Sequence, residues 1–215
     1  MGEICLEART CEPFWENYRR DLFRHFVYVP NMGTLRKVRE CVRVEGIWAM
    51  AVYRFGRALR TRGGPATLWW PLYCAWEIAV RLLTGIYLDI DATIGPGFYI
   101  GHHGSITVGP GVVIGPNSSI GQMCWIGPAR TGSAAPVLGS LVYVGPGAKI
   151  FGGVTIGDRA VVGAGAVVLD DLAGGTTSVG NPARTISKVG SDDLIYLGEG
   201  KPLKTGFAVL LSGGG

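Results

Sequence analysis

The sequence predicts an α+β protein: a helical N-terminal domain over residues 1–84, a parallel β-helix over residues 85–190 and a C-terminal tail over residues 191–215. Three observations predict it. Aromatic and aliphatic residues recur at helical spacing through the first 84 residues, and from Ile94 onward the apolar period changes to six. Glycine supplies 35 of the 215 residues, well above the usual ~7%. A chain of this length suits one compact domain with an accessory segment.

In the helical half, Phe14, Trp15, Tyr18, Leu22, Phe23 and Phe26 form one stripe, and Ile47, Met50, Ala51 and Phe55 another. Breaks are expected at Pro30 to Gly33, near Gly46 and at Gly63-Gly64-Pro65, which gives three or four helices. The aromatic stripe is expected to be core or subunit contact. The most apolar stretch, Leu68 to Leu83, contains Pro71, Glu77 and Arg81 and falls short of the ~18 uncharged residues that span a bilayer, so a buried or interfacial helix is expected and no transmembrane segment.

In the second half an aliphatic residue followed by glycine returns every six positions, as in Ile94-Gly95, Ile100-Gly101, Val108-Gly109, Ile114-Gly115, Ile120-Gly121 and Ile126-Gly127, and again from Leu138-Gly139 to Val168-Leu169. A small residue four places after the aliphatic one accompanies many repeats, such as Ser118, Ala148 and Ala160. Six-residue spacing fits a coil with three flat faces, each a short strand, with the aliphatic residue stacked inward and glycine relieving the corner. Two interruptions break the period, and an insertion in a solenoid must leave the stack as a loop. Ile100 to Val108 is eight residues, the extra pair lying in His102-His103-Gly104-Ser105. Ile126 to Leu138 is twelve, two hexads by arithmetic, but Pro128 to Val137 lacks the repeat and reads as a protruding loop.

Composition narrows the function. Residues 1–64 hold 12 basic and 7 acidic side chains and residues 85–190 hold 5 of each, with no basic run interleaved with aromatics, which argues against nucleic-acid binding. Five widely spaced cysteines without a Cys-x-x-Cys pair, and an N-terminus without the order of an export signal, predict a cytoplasmic location. Of three histidines only His102 and His103 fall in the coil, too few for the three or so imidazoles a coil-bound metal needs, so no metal is expected. A nucleophile elbow and a P-loop are also absent. The chemistry left is a histidine acting as general base.

The runs Thr84 to Gln122 and Val144 to Ser187 resemble the serine O-acetyltransferase family of hexapeptide-repeat acyltransferases, in its branch with an Ile-Gly-His-Phe-Gly stretch, here Ile100-Gly101-His102-His103-Gly104. Tyr53-Arg54-Phe55-Gly56 resembles the Tyr-Arg-x-Gly helix that precedes the repeats in that family, and Gly180-Asn181-Pro182-Ala183-Arg184 adds a third shared stretch. The resemblance covers Gly46 to Ser187. It implies a left-handed β-helix, assembled as a homotrimer or a dimer of trimers, and acetyl-CoA as co-substrate in a groove between coils. It further implies that His102 takes the proton from an acceptor hydroxyl, which attacks the thioester directly. By position, Gly127, Gly145, Gly163 and Ala164 match residues lining the coenzyme groove, where small side chains admit the pantetheine arm. The aspartate that orients the base in the family falls without gaps on Tyr87; Asp89, with a shift of register, is carried as the orienting carboxylate, and Asp91 is the other candidate.

Three departures bear on the acceptor. The aspartate that precedes the base in serine-specific members is Gly101 here, their Arg-His loop pair aligns with Ala134-Ala135, and their Asp-Pro-Ala stretch has no match. These are the groups to which the resemblance assigns the charged ends of the amino acid. The expected activity is therefore acetyl-CoA-dependent O-acetylation of a small hydroxyl acceptor, serine or another small alcohol; the alternatives are a sugar or specialised metabolite, transfer to an amine, or a non-catalytic trimeric scaffold.

Overall fold

The computed structural model describes residues 14–27, 33–62, 68–102, 104–195 and 197; His103, Cys5 and Cys11 lie outside the described residues. Four helices come first: α1 (Phe14–Val27), α2 (Thr34–Arg43), α3 (Glu45–Arg62) and α4 (Trp70–Thr84). The break between α2 and α3 falls at Val44, in extended conformation, and Gly46 lies inside α3. A Cβ on Gly46 would lie 2.9 Å from Ile100 Cβ, so this glycine serves the close approach of α3 to the coil.

A left-handed parallel β-helix of about five coils follows. The first coil is β1 (Ile86–Leu88), β2 (Thr93–Ile94) and β3 (Tyr99–Ile100); the second is β4 (Ile106–Val108), β5 (Val113–Ile114) and β6 (Ser119–Ile120). The third is β7 (Trp125–Gly127), β8 (Val137–Leu138) and β9 (Tyr143–Val144), and the fourth is β10 (Lys149–Phe151), β11 (Thr155–Ile156) and β12 (Val161–Val162). The fifth has β13 (Val167–Val168), a single bridge at Leu172 and β14 (Thr177–Val179). Each face is one parallel sheet, and like residues stack on like: Leu88 pairs through Val108 to Ile126, and Ile100 through Ile120 to Val144. These aliphatic side chains are almost completely buried, and so are the small residues two places before them, Ser118, Ala148 and Ala160. Two inward residues per face fill the narrow interior, which is why the repeat tolerates so little charge.

The lower end of this stack is where the helices matter. β2 ends its sheet, so its backbone groups lack a strand partner below, and burying such groups unpaired costs free energy comparable to a lost hydrogen bond. The Tyr53-Arg54 pair on α3 satisfies them. The Tyr53 hydroxyl donates to Ala92 O (2.8 Å) and accepts from Ile94 N–H (3.0 Å), while Arg54 donates to Ile94 O (2.6 Å) and Gly95 O (2.7 Å). Arg54 is held in place by Asp21 of α1 at 2.9 Å, and Asp21 also accepts from Phe98 N–H at 3.0 Å. Burial pushes the Asp21 carboxyl up, and the Arg54 guanidinium with the amides of Phe98 and Gly97 pulls it back. Gly56, one turn of helix away, lets Tyr73 of α4 lie against α3: a Cβ there would meet the Tyr73 ring at 2.5 Å.

The aromatic stripe of α1, expected in the core or at a subunit contact, is core only in part within one chain, with Phe14, Tyr18, Leu22 and Phe26 half-buried. Fully buried on α1 is the polar stripe Asn17, Asp21 and Arg24, while Trp15 and Phe23 are exposed. The reason is the turn after β2 and the coil above it: Arg24 donates to Gly97 O (3.3 Å) and to Ser119 Oγ of β6 (2.9 Å), bonds that an aromatic side chain cannot make. Beside it, His25 packs its ring on Tyr99 with centroids 4.7 Å apart, and its Nε2 is buried with no hydrogen-bond partner among the described residues. Burial, with Arg24 adding to it, pushes His25 down to about 4. Because the folded value lies below the ordinary 6.5, the neutral ring favours the fold above pH 6.5 and that contribution is lost as pH falls toward 4. The expected result is that His25→Phe loses less stability than the parent between pH 6.5 and pH 4, measured by urea unfolding; parallel curves would refute it.

Candidate active site

Between Ile100 and Val108 the two extra residues lift the chain off the corner that joins the third face to the first. Gly104 at φ 105° and Ser105 at φ 49° turn it back, and the first of these is a conformation that glycine adopts without strain. The return is pinned from both sides. Gly104 N–H donates to Thr84 O (3.1 Å) and Ile106 N–H to Gly85 O (3.0 Å), while Met123 N–H donates to Gly104 O (2.9 Å). Thr84, the last residue of α4, is fixed in turn by its hydroxyl, which donates to Val80 O (2.7 Å) and accepts from Ile86 N–H (3.1 Å). His102 stands on this bulge, exposed to solvent, above the end of a helix and below the second coil. Next to it, Gly101 leaves room for an aromatic edge: a Cβ there would lie 3.4 Å from Tyr99 Cε1.

The residues matched to the coenzyme groove divide between two edges of the prism. Gly145 follows β9, and Gly163 and Ala164 follow β12, so all three share the His102 edge. At about 4.8 Å per coil they stand roughly 10 and 14 Å above it. A Cβ on Gly145 would lie 2.7 Å from Ala164 N and 2.9 Å from Gly163 C, so this glycine is required by the stacking of the next coil. Ala164 is exposed. The two positions are therefore expected to respond differently: Gly145→Val lowers the melting temperature, whereas Ala164→Trp raises KM for acetyl-CoA with melting nearly unchanged. Equal losses of stability in both would show that Ala164 packs rather than binds.

Gly127 lies on the other edge, at the end of β7, beneath the Trp125 ring, whose Cη2 a Cβ on Gly127 would approach to 3.0 Å. Trp125 stacks in turn on Phe151, with centroids 4.6 Å apart. The sequence reading did not single out this aromatic surface. Its signal is that the outward position before the aliphatic residue, often Thr, Ser or Val, is Trp125 on this face, and that Phe151 stands where the repeat usually has glycine. The insertion after β7 is one step between the first and second faces with six added residues, not two repeats. It leaves the stack and then lies along the edge: the Ala135 methyl is 3.4 Å from where a Gly111 Cβ would be, and Arg130 and Ser133 close a turn through a 2.9 Å bond from Ser133 Oγ to Arg130 O.

Asp89 shares that far edge. β1 separates it from the bulge by about three residues, roughly 10 Å at strand rise. The carboxylate accepts from the Tyr87 hydroxyl (2.9 Å) and from Asp91 N–H (2.8 Å), and Asp91 pairs with Arg60 at 2.6 Å. Burial, and next the hydrogen bond to Asp89, pushes the Tyr87 phenol up to about 12. Within one chain the structure joins Asp89 to Tyr87, on a different edge of the prism from the bulge.

Comparison with known proteins agrees with this architecture. Residues 135–170 match the family model described as bacterial transferase hexapeptide (six repeats). By sequence, no curated protein matches significantly. Among solved structures, the serine acetyltransferase of Brucella abortus in complex with coenzyme A is 25% identical with a TM-score of 0.69, covering 83% of this chain and 70% of that one. The Neisseria gonorrhoeae serine acetyltransferase in complex with serine is 25% identical at TM-score 0.68, covering 80% and 68%. Soybean serine acetyltransferase is 28% identical at TM-score 0.64, covering 81% and 69%. By its hexapeptide repeat and its overall fold, this chain is similar to serine acetyltransferases built on the hexapeptide repeat.

Proposed function

We propose that the protein is an acetyl-CoA-dependent O-acetyltransferase with His102 as general base and a small, weakly charged alcohol as acceptor. The observation that carries the reading is the exposed imidazole on a bulge pinned between α4 and the second coil, on the same edge as Gly145, Gly163 and Ala164. Acetyl-CoA supplies the acetyl group as a thioester. His102 accepts the hydroxyl proton as the acceptor oxygen bonds to the acetyl carbonyl carbon, and it returns that proton to the departing sulfur, so no acyl-enzyme is needed. Backbone N–H groups of the bulged corner are the candidate donors to the oxyanion.

Gly127 and Asp89 sit one face away from His102 within a single chain. In the homotrimer that the resemblance implies, the Gly127 edge of one copy would meet the His102 edge of the next. Serine is disfavoured as acceptor because its ammonium and carboxylate need partners on desolvation. Gly101, Ala134 and Ala135 offer none. The test is acetyl-CoA turnover across amino acids, sugars and other alcohols, with product mass and lability to hydroxylamine separating ester from amide. A kcat/KM for L-serine at or above ~10⁴ M⁻¹s⁻¹, the lower end of ordinary enzyme efficiency, would restore a plain serine acetyltransferase; no thioester consumption with any acceptor would overturn the enzyme reading.

A further inference from the structure

The solvent side of α4 is apolar along its whole length. Leu72, Trp76, Ile78, Leu82 and Leu83 are all exposed, the last two by 79% and 75%, and Arg81 is the one exposed charge on the helix. Its buried side is Tyr73, Val80 and Thr84, which pack on α3 and on the start of the coil. Glu77 is largely covered and pairs with Arg81 at 3.5 Å. A helix that is apolar on both sides is normally buried on both sides, and a contiguous exposed patch of this kind marks an interaction surface. The patch continues into a groove of about 620 Å³ that shares Leu72 and Trp76, is walled further by Phe14, Phe55 and Trp69, and has Arg62 as its one charged lining residue.

We infer that this face of α4 docks in the plane of an anionic lipid surface. Charge identifies the occupant. The basic excess of the chain lies in the helical half, where residues 1–64 hold 12 basic and 7 acidic side chains, while the coil of residues 85–190 is balanced at 5 of each. Arg62, at the end of α3, lines the groove beside the patch, while Arg57 and Arg60 turn to Ile90 O (3.2 Å) and Asp91 (2.6 Å) on the coil. Two copies meeting through this surface bring like charges together; phosphate headgroups bring opposite ones. The composition is also that of an in-plane helix, with tryptophan and leucine on the outer face and arginine at the margin. Spanning is excluded by length: no described helix is long and apolar enough to cross a membrane, and the 15 residues of α4 extend about 22 Å, short of a ~30 Å hydrocarbon core.

The full-length protein is mixed with vesicles of phosphatidylglycerol and phosphatidylcholine, or of phosphatidylcholine alone, and sedimented. Binding is expected to the anionic vesicles, weakened by salt, and at least tenfold less for Leu82→Glu/Leu83→Glu, whose exposed side chains leave melting and oligomeric mass unchanged. As a readout that needs no variant, acyl-brominated lipid is expected to quench tryptophan fluorescence of the parent protein. Absence of anionic-vesicle binding, binding without quenching, equal binding by the variant, or a fall in oligomeric mass in the variant would each overturn the inference, the last by showing that another copy covers the face.

Discussion

His102→Ala is expected to lower kcat by roughly 10²–10⁴-fold, the range a positioned general base contributes, with melting temperature and oligomeric mass intact. The side chain is exposed and stands on a bulge whose geometry is set by Gly104, Ser105 and three backbone hydrogen bonds, none of which it makes. Removing it therefore removes chemistry without removing structure. Single-turnover measurement with saturating acetyl-CoA reads the chemical step directly. A variant that keeps more than a tenth of the parent rate would transfer the base to another group.

The largest stability effect is expected at Arg54. Arg54→Ala leaves Asp21 buried without its partner and strips donors from Ile94 O and Gly95 O at the open edge of the first coil. Breaking a buried ion pair from one side costs about 3–5 kcal/mol, which for a chain of this size lowers Tm by roughly 10 °C. Calorimetry checks it, and a shift of under 3 °C would mean that water replaces the guanidinium. Arg54→Lys is expected to recover little, because one ammonium cannot reach Asp21 and two carbonyls as the planar fork does.

The coil was legible because its period is a direct image of its geometry: one inward aliphatic residue per face and one glycine per corner leave a six-residue mark that no helix or flat sheet leaves. Ile100 to Val108 was legible for the same reason, since two residues too many have nowhere to go but outward. The helical half was read less well. Trp15 and Phe23 look like core in a helix considered alone, and what holds Asp21 and Arg24 inside instead is the turn after β2, whose Phe98 N–H and Gly97 O they bind and which exists only once the coil has formed. The place of the carboxylate was not legible: within one chain β1 carries Asp89 to another edge than the bulge, where it accepts from the Tyr87 hydroxyl, because distance along a strand and distance around a prism diverge within three residues.

The two ends of the solenoid are closed by different means. Tyr53, Arg54, Asp21 and Arg24 seal the first coil, and β15 (Arg184–Ser187) runs antiparallel to β14 along the edge of the third sheet at the other end. A stack closed at one end by side chains from another domain has a fixed origin, and His102 sits on the first coil from that origin. The coil then works as a ruler with its zero at the base. Adding or deleting one complete turn beyond the third coil would change how far the coil runs toward β15, and would leave the bulge and the helical seal untouched.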